Sequence, residues 1–367
     1  MKICCVFNFG ALYRAPIYQL IDTCFDADFF IGDETGGESL KKMNYQSLKG
    51  LKGTLLNVRF GPFIWRKGYK SACKNEYQTF IMTGEPNCIT DWFILIWARL
   101  HSKRVLIWGH GWYGSESMFA RFVKKTQYRL CSGLLLYGKR ASHLLLKEGI
   151  RENKIFVIYN SLDYTKQLEI RMSLKPSSLY KRHFANDNKN IVFIGRLIKD
   201  KKFSLLLEAV SILNSRNQYC NVTFIGDGEE REWMERRIEE LELTERVWFY
   251  GSCYDEQTNA NLIFNADLCV SPGKIGLTAV HVLMFGCPAI TCDDFTVPAP
   301  EFEAICEGKT GSFFKSDDPI SLADTISKWF RNHQNKREIV RQACYREIDS
   351  KWNPNYQLEI LKKAITV

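Results

Sequence analysis

The chain has 367 residues, 46% hydrophobic and 25% charged, a composition that excludes a disordered polymer and calls for more than one hydrophobic core. Its charge is uneven: residues 1–175 hold 26 Lys and Arg against 14 Asp and Glu, a balance of +12, and the remainder holds 24 against 27. No apolar run is long enough to span a bilayer and no early segment has the layout of a secretion signal, so a cytoplasmic chain is expected whose first half meets an anionic partner or surface.

Residues 2–8, KICCVFN, read as a short apolar strand followed by a glycine turn and a helix over 15–24. Further strands are expected at 54–58, 79–83 and 105–108, and this alternation implies parallel strands joined by helices. Residues 59–74 interleave cations with Phe60, Phe63, Trp65 and Tyr69, and residues 121–129, RFVKKTQYR, read as a basic helical face. Such surfaces suit the boundary of an anionic membrane; a solvated basic surface over a few core aromatics is the plainer alternative. Nucleic acid is not expected as a partner, because no zinc-finger spacing, basic zipper or RNA-recognition signature is present.

A polar stretch without sustained period follows residue 159 and places a linker at 173–188. A strong strand at 190–194 then restarts the pattern: IVFIG, a helix over 204–214, VTFIGDG, a charged helix over 229–241, VWFYG, LCVSPG and AIT. Each apolar run is bounded by Gly, Pro or Asp, as central parallel strands are. A last helix over 355–364 has a register that does not choose a domain. The expected fold is α/β, with two Rossmann-like domains, 1–175 and 185–345, facing across a cleft, and a helical segment at 346–367 that folds back on the first. Thirteen cysteines, odd in number and without a CxxC pair, lie singly in apolar runs (Cys131, Cys269, Cys287) and read as reduced core thiols. Six dispersed histidines leave little from which to build a metal site.

Residues 267–288, DLCVSPGKIGLTAVHVLMFGCP, have the layout of a strand, a glycine turn and a short helix whose first amides can hold an anion. Gly195-Arg196-Leu197 closes a strand, and Lys201-Lys202 stands just before an apolar helix. Cations at a helix amino terminus oppose its dipole unless an anion lies between, and a diphosphate would resolve the conflict; two lysines pointing into solvent are the alternative. His110 follows an apolar strand and lies between two glycines, where backbone can approach a ligand, or where the ring simply caps the turn.

The ordered pieces GRL, Lys201, FIGDGEE, YG, ADLCVSPG, GLTAVHVLMFGCPAIT, PEFEAI and GKTG resemble the carboxyl-terminal domain of the retaining family 4 nucleotide-sugar glycosyltransferases of GT-B fold. The resemblance is dense over 190–330 and sparser in the first half, through NFGALYR, TGEPNCITDW, WGHGWYG and the run at 149–163. It implies a metal-independent enzyme without cofactor, whose substrates are a UDP- or GDP-linked sugar and a glycan. The first domain would hold the acceptor and the second the donor. Arg196 and Lys201 match the pair that neutralises the donor diphosphate, with the amides of Leu277 and Thr278 capping the distal phosphate. His110 matches the histidine near the donor sugar. Gly10 and Arg14 match diphosphate and acceptor contacts, and Gly195, Gly251 and Gly276 match backbone positions around the nucleotide, with base contacts near 250–254.

The chain departs from that family where two glutamates eight positions apart usually hold sugar and ribose: it has Gly273 and His281. Gly273 could still offer its amide, and His281, three residues beyond Thr278, shares its helix face and could hydrogen-bond a ribose. Glu301 and Glu303, just past AIT, could supply the missing carboxylate. The expected activity is transfer of a sugar, with retention, to a lipid-linked glycan of a surface polysaccharide, the enzyme resting on the inner membrane face. A sugar-nucleotide epimerase, a phosphorylase and a non-catalytic nucleotide-sugar-binding subunit are the alternatives.

Overall fold

The computed structural model describes residues 1–33, 40–296 and 300–366. The chain divides into two units, 1–163 with 353–367, and 164–352. In the first unit the elements are β1 (Lys2–Phe7), α1 (Ala15–Cys24), β2 (Asp26–Gly32), β3 (Leu51–Phe60), β4 (Phe63–Lys67) and β5 (Thr79–Met82). They continue as α2 (Ile89–Leu100), β6 (Arg104–Gly109), α3 (Met118–Leu130), β7 (Gly133–Leu136), α4 (Lys139–Lys147) and β8 (Ile155–Val157). The second unit holds α5 (Tyr164–Ser173), α6 (Leu179–Phe184), β9 (Lys189–Ile194), α7 (Phe203–Ser215), β10 (Cys220–Ile225), α8 (Arg231–Glu240) and β11 (Val247–Gly251). After these come α9 (Glu256–Asn265), β12 (Leu268–Ser271), α10 (Thr278–Met284), β13 (Ala289–Cys292), β14 (Gly311–Phe314), α11 (Pro319–Asn332) and α12 (Arg337–Lys351). The last helix, α13 (Pro354–Thr366), belongs to the first unit.

The first sheet runs β4-β3-β2-β1-β5-β6-β7-β8, all parallel except the β3–β4 edge hairpin. Strand β1 is apolar on both faces because both are covered: Ile3, Cys5 and Phe7 face the side of α1 and α13, and Cys4 and Val6 face the side of α2. Leu358, Leu361 and Ile365 of α13 join the same cluster as Ile17 and Ile21 of α1, which decides where the last helix packs. The second sheet runs β11-β10-β9-β12-β13-β14, every pairing parallel. In each sheet the chain starts at a central strand, builds one way and then crosses over, so the strand order reverses beside β1 and β5 in one unit and beside β9 and β12 in the other. Ligands of such sheets bind beyond the carboxyl ends at that reversal.

The linker expected at 173–188 is a correction: the division falls after Asp163, and the segment contains α6. Its reason is tertiary. Tyr180 Oη donates to the Leu262 carbonyl at 2.8 Å and His183 stacks on Trp248 at 3.8 Å, contacts that no local period announces. The preceding α5 is held in the same way, by Arg171 on Asp349 at 2.9 Å. None of the 13 cysteines is disulfide-bonded, and eight are buried.

Candidate active site

In the second unit the loops after β9 and β12 meet backbone to backbone. Thr278 Oγ1 donates to the Ile194 carbonyl at 3.1 Å, which ties the start of α10 to the end of β9. A Cβ on Gly226 would lie 1.9 Å from the Gly195 carbonyl oxygen, so the close approach of two strand ends requires that glycine, while Gly195 is required by its backbone, at φ +142°. Gly276 turns the chain into α10 at φ +56°. The amides of Leu277, the cap, and Thr278, the first helical residue, stand at the start of α10, where no intrahelical carbonyl reaches them. Gly251, with φ +86°, accepts from the Gly226 amide at 2.9 Å, and the exposed Tyr254 follows it.

Lys201 is half-buried and its ammonium donates to the Lys274 carbonyl; among the described residues no carboxylate pairs with it. Burial, and then the neighbouring cations Lys274 and Arg196, push its pKa down to about 8. Lys202 instead turns away to Asp317 at 2.6 Å, so the two lysines separate into one crevice residue and one surface ion pair. Arg196 sits exposed just past β9.

Position 273 behaves differently from the expectation. The Gly273 amide donates to the Lys201 carbonyl at 3.0 Å and is not available to a sugar, and a Cβ there would lie 2.0 Å from the Asp200 carbonyl oxygen. The usual glutamate is thus excluded by the backbone of the Lys201 loop. His281 is not directed solely at the cradle either: its Nε2 lies 2.9 Å from Glu256 Oε1, which also accepts from Gln167 Nε2 at 2.8 Å. Burial alone would raise the Glu256 pKa, but the hydrogen bonds from His281 and Gln167 hold it below the usual glutamate value. Glu301 and Glu303 lie in a short 3-10 turn, Pro300–Ala304, with Glu301 only 4% exposed. The small cavity beside Gly273 is lined by Lys274, Thr291 and Phe302, and by neither carboxylate.

In the first unit a cavity of about 400 Å³ opens beyond β1, β5 and β6 and is lined by Arg14, His110, Glu85 and Lys124 among others. Arg14 donates to the Tyr137 hydroxyl, and the His110 ring packs edge-on against Tyr137 at 4.9 Å. Gly10 does not line it. Its amide donates to Tyr45 Oη at 2.9 Å and a Cβ would lie 2.5 Å from the Tyr45 ring, so packing explains this glycine. Sequence reading passed over Glu85, which follows β5 in the TGEP turn beside the reversal; that strand-end position was the available signal. Its carboxylate accepts from Asn8 Nδ2 at 2.9 Å and from Arg66, and burial raises its pKa although Arg66 opposes the shift. Glu256 was passed over too, since its pairing with His281 spans 25 residues.

Two Rossmann-like α/β domains with candidate ligand groups at both strand-order reversals define the GT-B class of fold. Within it, the family model described as Glycosyl transferases group 1 matches residues 178–346, a stretch that lies inside the second unit. An uncharacterized 41.2 kDa protein in the cps region of Klebsiella pneumoniae is 27% identical over 222 residues, covering 58% of this chain and 56% of that one. Mannosylfructose-phosphate synthase of Agrobacterium fabrum is 23% identical over 222 residues, 57% of this chain and 45% of the relative. The chain thus spans about half the length of the curated relatives it matches. The solved structure of Anabaena HepE in complex with UDP covers 100% of both chains with a TM-score of 0.73 at 15% identity, a likeness of fold.

Proposed function

We propose that the chain is a glycosyltransferase that moves a sugar from a uridine diphosphate donor to a hydroxyl of a lipid-linked glycan, with retention of configuration, during synthesis of a surface polysaccharide. The observation that carries this reading is Lys201: a half-buried ammonium beside two further cations, at the reversal of a sheet that matches a glycosyltransferase family. Gathering like charges in a crevice is unfavourable until an anion joins them. The uridine is supported by the HepE structure, solved with UDP, and the polysaccharide by the Klebsiella relative from a cps region.

On this reading Arg196, Lys201 and the amides of Leu277 and Thr278 meet the negative charge that grows on the departing diphosphate, as preorganised donors do best. His110 serves at the donor sugar and Arg14 at the acceptor. The bond from anomeric carbon to phosphate oxygen breaks, the acceptor oxygen bonds to that carbon on the same face, and its proton passes to the departing phosphate. His281, held by Glu256, takes the ribose. The glycan acceptor is presented at an anionic membrane face, in keeping with the +12 balance of residues 1–175. Among the described residues no helix is long and apolar enough to cross a membrane.

The test is acceptor-dependent release of nucleoside diphosphate from a panel of UDP- and GDP-sugars supplied with a lipid extract of the source cells. Lys201→Ala should retain the fold and lose about 100-fold or more in turnover. Conversion of the sugar nucleotide without acceptor would favour an epimerase, and phosphate-dependent cleavage a phosphorylase. One observation favours the non-catalytic reading, the exclusion of any side chain at 273, and it predicts binding of UDP without its release from a donor.

A further inference from the structure

Helix α2 is apolar nearly all round. Thr90, Ile94, Leu95 and Ala98 face the core, while Ile89, Phe93, Ile96 and Leu100 form an outward stripe at helical spacing, Leu100 being 78% exposed. Such a helix belongs in a core or in lipid, and this one lies on the surface. Beside it, α3 opens with Met118, Phe119 and Phe122 at 88%, 77% and 69% exposure. On its other side the β3–β4 hairpin bears Phe60 and Phe63 exposed at its turn, and the Phe93 ring lies 5.8 Å from that of Trp65 on β4. Arg99 of α2 donates to the Leu130 carbonyl of α3 at 3.4 Å, so the three elements adjoin. The exposed large apolar residues of the second unit, by contrast, are spread over separate elements.

The charge around this patch has one sign. Segments 56–70, 89–103 and 117–130 hold ten Lys and Arg and a single carboxylate, Asp91, which is fully buried against Arg66. Two acids lie next to these cations, both largely covered: Arg121 and Lys125 share Glu148, and Lys124 pairs with Glu116. Lys67, Lys70 and Arg129 stand exposed at the rim. Apolar side chains ringed by cations without exposed acids match a leaflet of anionic lipid: acyl chains take the first and phosphates the second.

We propose that the β3–β4 turn, the outward stripe of α2 and the first turn of α3 form one docking face that seats the first unit on an anionic leaflet, its aromatics entering the headgroup boundary. This gives a surface to the membrane part of the function proposed above, and it rests on that reading only for its purpose. The test is sedimentation of the full chain with vesicles of phosphatidylcholine alone and of phosphatidylcholine with phosphatidylglycerol at two to one. The mixed vesicles should bind it, and added salt should weaken the binding. Phe119→Ser with Phe122→Ser should weaken it about tenfold or more, since burying each ring contributes on that order. Lys67→Glu, Lys70→Glu and Arg129→Glu together should weaken binding to the mixed vesicles, each charge contributing about fivefold. Ile339→Ser, on the second unit, should change nothing.

UDP affinity measured on the same proteins keeps the two readings apart: docking variants leave it unaltered, and vesicle binding is readable even if no transfer is ever found. Equal, negligible binding to both vesicles overturns the proposal. So does binding that Phe119→Ser with Phe122→Ser leaves intact, and so does self-association of the wild-type chain, lost in that variant, without vesicle binding.

Discussion

If the proposed function holds, Lys201 makes the affinity for a diphosphate depend on pH. Its pKa in the ligand-free chain is about 8, against 10.5 for a free lysine, because burial and then the charges of Lys274 and Arg196 disfavour the ammonium. Adding an anion reverses both effects, so the bound-state value returns towards 10 or above. At pH 7 roughly nine in ten free molecules already carry the proton, and at pH 9 only about one in ten, from the titration of a single group. The association constant for UDP should fall about tenfold between pH 7 and pH 9, or ~1.4 kcal/mol, with uptake approaching one proton per UDP at the upper end. The nucleotide's own phosphate, with a second pKa of about 6, is ionised across this range. Titration calorimetry in buffers of different ionisation enthalpy reads affinity and proton uptake together. Lys201→Gln, neutral at every pH, should bind weakly and with a flat profile. A wild-type affinity constant from pH 7 to 9, or a slope that survives in Lys201→Gln, would refute the reasoning. The stability linkage has the opposite sense: a base whose folded pKa is depressed destabilises the folded, ligand-free chain below about 8, and this is relieved as pH rises from 8 towards 10.5.

Three further outcomes are expected. Gly273→Ala should lower the thermal midpoint by the equivalent of ~2 kcal/mol and weaken UDP binding, because its Cβ, 2.0 Å from the Asp200 carbonyl oxygen, must displace the Lys201 loop; scanning calorimetry and UDP titration check it. The wild-type chain should prefer UDP to 2′-deoxy-UDP, and His281→Ala should abolish that preference, whereas an equal loss for both nucleotides would make His281 a packing residue held by Glu256. Asp91→Ala should destabilise by roughly 3–5 kcal/mol, measured by denaturant unfolding, because Arg66 is 1% exposed and keeps only Glu85 as a counter-charge.

Much of the architecture was legible because parallel strands covered on both faces must be unbroken apolar runs. KICCVF, IVFIG and VTFIG announce β1, β9 and β10 in this way, and the helix expected at 15–24 is α1. The hairpin strand β4 was less legible, since its five residues include two rings followed by two cations, only Trp65 of the rings packs on Phe93 of α2, and the segment reads equally as an amphipathic surface. Helices α5 and α6 were missed outright: their few buried residues, Gln167 and Tyr180, find their partners on α9. At the site, the order of glycines and cations marked the crevice, but the same glycine letter meant three things. Gly226 permits two strand ends to touch, Gly10 makes room for Tyr45, and Gly273 yields its amide to Lys201.

By itself, then, the sequence determined two alternating α/β units, a glycine turn before α10, and Arg196 with Lys201 in the loop after β9, because these follow from local periodicity and from strand-end chemistry within a few residues. Only the tertiary structure decided that Lys201 is half-buried against Lys274, that Glu256 holds His281, and that α2 shows an apolar stripe outward beside α3. Each of those depends on which groups lie across a gap of tens of residues, and burial, charge and contact at such range are set by how the elements pack.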